Sequence, residues 1–554
     1  MTETNKIVNV AARLSVMAKQ RPDEIAIAEP LNYGPDGKRK YKTITFAELD
    51  RDSDIIAAGL NDLGAGPGTR LALLVRPSID FISLVFALFK SGVTTILIDP
   101  GMGRRNTIRC LSEAQPDGFV AIPAAHVIRT VCRRMFPKAK INVTVGRKLF
   151  WGGTTLAAIR RREWNGPVLH PTAGDDPAAI IFTTGSTGPP KGVLYRHINF
   201  DTQVEEIRDR FDIKPGEIDV PGFPMFGLFN CAMGVTAVLP EMDSSHPSSV
   251  DPKKFVEAIL DWKATQTFAS PAVFRKIGPY CKRYGIKLPT MRRVLSAGAP
   301  VPVPVVEAMR DAIHPEGDIF TPYGATEALP VAMISGREII EETAERTKQG
   351  EGVCVGSRFS AITWKVIRIT DEPIETIEQI EELPQGEIGE LIVQGPQVTW
   401  EYCTRVESNA LGKIKDGDQI WHRMGDVGYF DTKGRFWICG RKAHRLETEH
   451  ETMFTLPCEA IFNEHPNVFR SALVGIGPKG KQRPVLIVEP DRESDPHIMT
   501  KQKRLIEELA EIASAHKLTK PIETFLVHPS FPVDIRHNAK IFREKLTVWA
   551  EKRL

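Results

Sequence analysis

The stretch RLALLVRPSIDFISLVFALFKSGVTTILIDP, residues 70–100, limits the fold more than any other part of the chain. A short apolar run, Leu71 to Val75, is followed by an amphipathic stretch from near Pro77 and then by a second β-rich run, Thr94 to Ile98. That order is strand, helix, strand, the unit of a parallel sheet covered by helices. The same alternation returns in AAIIFTTGS, ATQTFASPAVFRKIG and RRVLSAGAPVP, where a β-type run ends at Gly, Ser or Pro. Each places a polar loop at the C-terminal end of a strand, where open α/β sheets bind ligands. The apolar run Phe81 to Phe89 is broken by Lys90 and is about half the length that spans a bilayer, so a buried helix is expected and no transmembrane segment.

At 554 residues the chain exceeds what one compact core needs, and two or more domains are expected. Past Gly352 the texture shifts to shorter runs such as WKVIRIT and GEIGELIVQG, and about 110 residues of new α+β alternation follow GDVGYFDTKGRFWICGR. The expected fold class is α/β: a large N-terminal domain, residues 1–441, with helix-covered, mostly parallel sheets and a β-rich subdomain near 352–441. A small mobile α+β C-terminal domain, residues 442–554, follows a hinge near Arg441 to His444. With 72 basic and 69 acidic residues the formal net charge is +3, too balanced for a nucleic-acid surface, so a bound anion must be held by a local site. Eight cysteines are scattered without C-x-x-C or zinc spacing, which reads as reduced thiols in a cytoplasmic protein. The start MTETNKIVNVAARL has none of the parts of a secretory signal.

The segment TTGSTGPPKG, Thr183 to Gly192, continues directly from the apolar run AAIIF. Gly185, Gly188 and Gly192 allow backbone N–H groups to turn inward. Thr183, Thr184, Ser186 and Thr187 add hydroxyls, and Lys191 adds a cation. Several donors converging on one point suit a polyphosphate. The alternative is a flexible surface turn. Pro190 stands where a Walker A loop requires glycine, so that pattern is excluded.

This loop resembles the signature of the adenylate-forming superfamily of acyl-CoA synthetases, luciferases and peptide-synthetase adenylation domains. Further pieces occur in that family's order: SAGAP with Gly298, Ala299 and Pro300, YGATE from Tyr323 to Glu327, GDVGYFD with Asp426, and CGR with Arg441. The resemblance implies ATP and Mg²⁺. It implies that Tyr323 stacks on adenine beside Gly324, that Thr326 bonds the α-phosphate, and that Glu327 and Thr184 hold the metal. Asp426 and Arg441 would take the ribose. Near the C-terminus DIRHNAKIFREKL puts Lys540 at the family's lysine, with Ile541, Arg543 and Leu546 in step. That lysine would stabilise the charge that develops as a carboxylate attacks the α-phosphate, with Lys191, Thr326 and Glu327 assisting.

After the hinge the chain departs from the thioester-forming members. It reads GRKAHRLETEHETMFTLPCEAIF, with Ala443 and His444 at the usual Lys and Asp positions and no glycine between Glu447 and Met453, while Pro457 and Glu459 remain. Coenzyme A is thereby disfavoured as acceptor without being excluded. His444 reads equally as a hinge and as a surface residue. Strings such as LFKSGVTTILIDPG, VGRKLFWGGTTL, TPYGATEALPV and FPVDIRHNAKI look like one subgroup, the olefin β-lactone synthetases of bacterial long-chain olefin biosynthesis. That resemblance implies a 2-alkyl-3-hydroxy fatty acid whose own hydroxyl closes the ring. A fatty acyl-CoA synthetase or acyl-AMP ligase is the alternative. The implied partners are the long-chain 3-hydroxy acid and the pathway's condensing enzyme, reductase and β-lactone decarboxylase. The apolar segment PGFPMFGLFNCAMGVTAVLP, with Met225 and Phe226, reads equally as core packing and as a lining for alkyl chains.

Overall fold

The computed structural model describes residues 8–183, 188–492, 495, 497–533 and 540–554. The strand–helix–strand unit at residues 70–100 belongs to a seven-stranded sheet. In spatial order its strands are Thr154–Thr155, Ile141–Thr144, Gly118–Ala121, Arg70–Leu74, Thr94–Leu97, Pro177–Phe182 and Gly192–Arg196. All neighbours are parallel except the last pair. The connecting helix, Ile79–Lys90, begins at Ser78, whose Oγ accepts the Phe81 N–H at 3.2 Å. Its apolar run is buried in the protein core, and no helix among the described residues is long and apolar enough to cross a membrane. Lys90 ends the run fully buried, with Nζ 2.6 Å from both Asp50 Oδ1 and Asp54 Oδ1 on the adjacent helix Phe46–Asp62. A buried ammonium is tolerable because two carboxylates and the Asp50 carbonyl receive its protons.

A second sheet of fourteen strands changes character partway along. From Ile25–Tyr33 through Thr236–Val238, Ile218–Asp219, Gln266–Ala269 and Arg293–Ser296 to Asp318–Ala325 the neighbours are parallel. Asp318–Ala325 then turns back on Ala328–Ser335, and pairing is antiparallel through Val353–Arg358, Phe436–Arg441, Gln419–Phe430, Gly389–Gln394 and Thr363–Ile367. The β-rich region past Gly352 is thus hydrogen-bonded onto Ala328–Ser335, the strand that returns from the parallel set, and continues the same sheet. The switch falls at residues Thr326 and Glu327.

The C-terminal residues build a three-stranded sheet, Val468–Ile476, Arg483–Pro490 and Thr524–Val527. Period-two alternation gives it two apolar faces. Leu473, Leu486 and Val488 pack with Leu505 and Leu509 of the helix Gln502–Ala515. Ala472, Val474, Val485 and Ile487 pack with Leu546 and Ala550 of the final helix, Arg543–Glu551. Arg543 fixes that last helix by a two-pronged pair with the buried Glu459, at 2.5 and 2.9 Å, while Glu459 Oε1 also accepts the Leu473 N–H at 2.7 Å. Removing one partner of a buried pair strands the other charge, at about 3–5 kcal/mol. Arg543→Ala is therefore expected to lower stability by about that amount, with hydrogen exchange accelerated in Val468–Ile476. Unchanged exchange there would refute the stapling role.

Candidate active site

The strand Pro177–Phe182 leads into the glycine-rich loop, and its partner Gly192–Arg196 leads out antiparallel, with Phe182 opposite Gly192. The loop is the head of a hairpin. Its neck is closed by the Thr183 N–H on the Lys191 carbonyl at 3.0 Å and the Lys191 N–H on Thr183 Oγ1 at 3.1 Å. Gly188 has φ of 153°, where L side chains are rarely found. Thr184, Gly185, Ser186 and Thr187 lie outside the described residues.

YGATE occupies the point where the fourteen-stranded sheet reverses. Ala325 pairs with Ala328, so Thr326 and Glu327 are the two residues of a tight turn. Gly324 is required there, because a Cβ would lie 2.7 Å from the Ala328 carbonyl oxygen and 2.9 Å from the Leu329 side chain. Tyr323 donates its hydroxyl to Asp426 Oδ2 at 2.5 Å, and Asp426 Oδ1 lies 3.2 Å from Arg441 Nε. Asp426 and Arg441 face each other across adjacent strands, and Arg441 also bonds the Met424 carbonyl at 2.9 Å. Burial and the neighbouring Asp426 push the Tyr323 phenol well above its ordinary range, while Asp426 holds the Arg441 guanidinium charged. Gly298, Ala299 and Pro300 follow the strand Arg293–Ser296, beside Asp318–Ala325. At two neighbouring strand ends the Oγ atoms of Ser296 and Ser270 are buried with no hydrogen-bond partner among the described residues.

The segment that joins these parts, residues 396–404, was not singled out by sequence. Tyr402 pairs with Val193 of the outgoing hairpin strand, and Gly192 exchanges bonds with Thr404 Oγ1, 2.7 Å, and the Cys403 N–H, 2.9 Å. At its other end Val398 pairs with Ala328, and Thr399 donates both N–H and Oγ1 to the Glu327 carbonyl at 2.9 Å. Between them the Tyr402 hydroxyl donates to Glu327 Oε1 at 2.6 Å, and the Lys191 ammonium sits 4.5 Å from the Tyr402 ring centroid. Tyr195 adds a hydroxyl bond to the Thr326 carbonyl at 2.6 Å. Burial and Glu327 push the Tyr402 phenol far up, so it remains a proton donor. VTWEYCT has no glycine pattern or metal-ligand spacing, so only its tertiary position reveals it.

Behind this segment lie two further groups without a motif. Lys413, 8% exposed, donates Nζ to the Thr399 carbonyl and, at 3.3 Å, to Thr399 Oγ1. Burial pushes its ammonium down to about 7, with Glu327 opposing and Lys191 reinforcing that shift. His422 donates Nδ1–H to the Gly412 carbonyl at 2.9 Å, and burial together with Lys413 keeps its imidazole neutral.

Phe226 opens the helix Phe226–Met233 and lies flat on Phe268, with centroids 4.2 Å apart and planes 4° from parallel. Phe226, Phe229 and Met233 belong to the main core, and the half-buried Met225 lies at its margin with Phe268 and Tyr323. Lys540 is half-buried and precedes the final helix, next to the bridge between Val533 and Ile541. His444 is half-buried, with Nε2 3.2 Å from Glu544 Oε1 on that helix. The stretch 534–539 of DIRHNAK lies outside the described residues.

Lys413 gives a pH signature of known sign. The unfolded lysine keeps its proton up to about pH 10.5 and the folded one only to about 7, so between these values the unfolded state binds more protons and stability rises with pH. The stability of the wild type relative to Lys413→Met is expected to increase from pH 7 to pH 10 in urea unfolding. A flat difference would show that the ammonium is not desolvated.

Comparison with known proteins agrees with this geometry. Residues 14–403 match the family model described as AMP-binding enzyme. The chain is 47% identical over 559 residues to the olefin beta-lactone synthetase of Stenotrophomonas maltophilia strain K279a, with 99% of each chain covered. It is 46% identical over 552 residues to the olefin beta-lactone synthetase of Xanthomonas campestris pv. campestris, with 98% of each covered. Among solved structures, ATP-bound MatB from Rhodopseudomonas palustris has the same fold, with a TM-score of 0.76 at 20% identity over 98% of this chain and 99% of that one. With the hairpin, the YGATE turn and the Asp426–Arg441 pair inside the shared length, the chain belongs to the AMP-binding enzymes and, among them, to the olefin beta-lactone synthetase family.

Proposed function

We propose that this enzyme activates a long-chain 2-alkyl-3-hydroxy fatty acid with ATP and then closes the acyl-adenylate into a β-lactone. The observation that carries the first step is the run Lys191, Tyr402, Glu327, which brings a cation and a carboxylate from two sheets to one place. The substrate carboxylate attacks the α-phosphorus, pyrophosphate leaves, and an acyl-AMP forms. Both reactants are anionic, so the protein's contribution is positioning and oriented positive charge. In this reading Thr183 to Gly188 and Lys191 hold the phosphates, and Thr326 bonds the α-phosphate. Tyr323, Gly324 and Gly298 to Pro300 frame the base, and Asp426 with Arg441 takes the ribose. The unpartnered hydroxyls of Ser270 and Ser296 support a polar ligand at those strand ends.

Glu327 is a single carboxylate, with one oxygen already accepting from Tyr402, and no group of three or more His, Cys, Asp or Glu side chains among the described residues could hold a metal. That donor set fits Mg²⁺, which takes one or two protein carboxylates and fills its shell with phosphate and water. Glu327 and Thr184 would hold it, and the ion would neutralise charge on the phosphates. Lys540 would reach the carboxylate and α-phosphate from the C-terminal domain, residues 442–554, acting as a lid on residues 1–441.

In the second step the 3-hydroxyl oxygen bonds the acyl carbon, the bond from that carbon to the AMP oxygen breaks, and the hydroxyl proton is lost. Identity of 47% over nearly the whole chain to an olefin beta-lactone synthetase supports this acceptor, as does the altered sequence after the hinge. A nucleophile tethered to the acyl carbon needs no channel for a second substrate. Met225 and Phe226 would border the alkyl chains. Eight cysteines that are all free thiols support a reducing, cytoplasmic setting. The enzymes that would supply and consume these compounds are a condensing enzyme, a reductase and a β-lactone decarboxylase.

Incubation with Mg·ATP and a 2-alkyl-3-hydroxy acid, with and without coenzyme A, is expected to give AMP and a β-lactone by mass spectrometry in both cases. A thioester as the sole organic product would replace this reading with an acyl-CoA synthetase. Lys540→Ala is expected to slow adenylation by about a hundredfold or more while ATP binding by calorimetry is nearly unchanged. Wild-type adenylation in that variant would remove Lys540 from the site.

A further inference from the structure

Between Asp117 and Glu163 the sequence contains no aspartate or glutamate. The same interval contributes Arg133, Arg134, Lys138, Lys140, Arg147 and Lys148, all exposed, in a chain whose formal net charge is only +3. Three neighbouring arginines are paired: Arg109 with Glu113, Arg160 with Asp52 and Asp80, and Arg162 with Asp62. Among the described residues none of the six interior cations has such a carboxylate partner.

Large apolar side chains project among these cations. Val131 is 79% exposed, Phe150 75%, Leu149 51%, and Val127 and Ile128 39% each. They lie on the helix Pro123–Val131 and on the loop after the strand Ile141–Thr144. The helix starts beside the loop, at the C-terminal end of Gly118–Ala121, and runs back along the sheet to the start of the parallel strand Ile141–Thr144, so Val127, Ile128 and Val131 extend this surface from Phe150 toward Arg133 and Arg134. Trp151, buried with its indole N–H on Thr144 Oγ1 at 2.9 Å, stacks on His126 of the helix at 5.6 Å and meets Phe150 edge-on at 5.2 Å. The exposed Phe150 is therefore braced from behind beside the helix. Ile141–Thr144 lies four strands from Pro177–Phe182, about 19 Å at ordinary strand spacing, so this face is separate from the phosphate hairpin.

We propose that this face docks the enzyme peripherally on an anionic lipid bilayer. Bulky apolar groups enter the headgroup boundary while the surrounding Arg and Lys heads stay among the lipid phosphates, their stems lying along the apolar surface. An acidic protein would answer the cations, but it would leave Phe150 and Val131 without an apolar counterpart.

The test is cosedimentation of the full chain with vesicles of phosphatidylcholine alone and of phosphatidylcholine containing phosphatidylglycerol. Binding is expected only to the second, weakening as salt is raised. The double variant Arg133→Ser, Arg134→Ser should bind those vesicles about thirtyfold more weakly. The double variant Val131→Ser, Phe150→Ser should also lose binding, and both should keep the wild-type melting temperature and pyrophosphate release. No binding to either vesicle, equal binding to both, or wild-type binding by both variants would overturn the proposal. A loss of self-association in the variants without any vesicle binding would instead make this face a contact with a second copy.

Discussion

The hydrogen bond from the Tyr402 hydroxyl to Glu327 is the contact on which the site depends. Tyr402 pairs through its backbone with the hairpin strand of one sheet and through its side chain with the reversing turn of the other. The segment around it is itself held: Asn199 donates to the Pro396 carbonyl at 2.7 Å, Arg196 pairs with Glu401 at 3.0 Å, and the Arg196 guanidinium lies 4.6 Å from the Trp400 ring centroid. Lys413 lies behind it as a desolvated donor to Thr399. Without this crosspiece the glycine-rich hairpin and the YGATE turn would be two loops at the edges of two sheets.

Much of the fold was legible in local sequence because its signals are local. The unit at residues 70–100 reads as strand, helix and strand from apolar run lengths, and Lys90 marks where the helix ends. The hairpin neck, the tight turn at Thr326 and Glu327, and the cross-strand pair Asp426–Arg441 lie in motifs whose residue types reveal them. Continuity between the parallel and antiparallel strands was not legible. A strand edge has no sequence mark saying what it pairs with, and the change past Gly352 reads as a new subdomain although Met333 and Ser357 are bonded neighbours.

Tyr402, Lys413 and His422 were hidden for another reason. Their importance comes from desolvation and from partners distant in sequence, neither of which has a spacing. Arg543 and Glu459 are an intermediate case. Both positions fall in strings that resemble the family, yet only the structure gives them a mechanical role, because their pair sets the helix that begins three residues after Lys540. Phe226 illustrates the reverse, since its apolar string gave no sign of its partner and only the structure shows the stack on Phe268 within the core.

The crosspiece also bears on how this protein comes into being. Its bonds connect residues near 192, 327 and 402, so they close only after most of the chain has been synthesised and both sheets have formed. A partly folded chain would carry the hairpin and the turn as separate fragments, not yet brought to one place. On the proposed function, nucleotide capture would report completed assembly, and ligand added to a refolding mixture would select the finished molecules from those still searching.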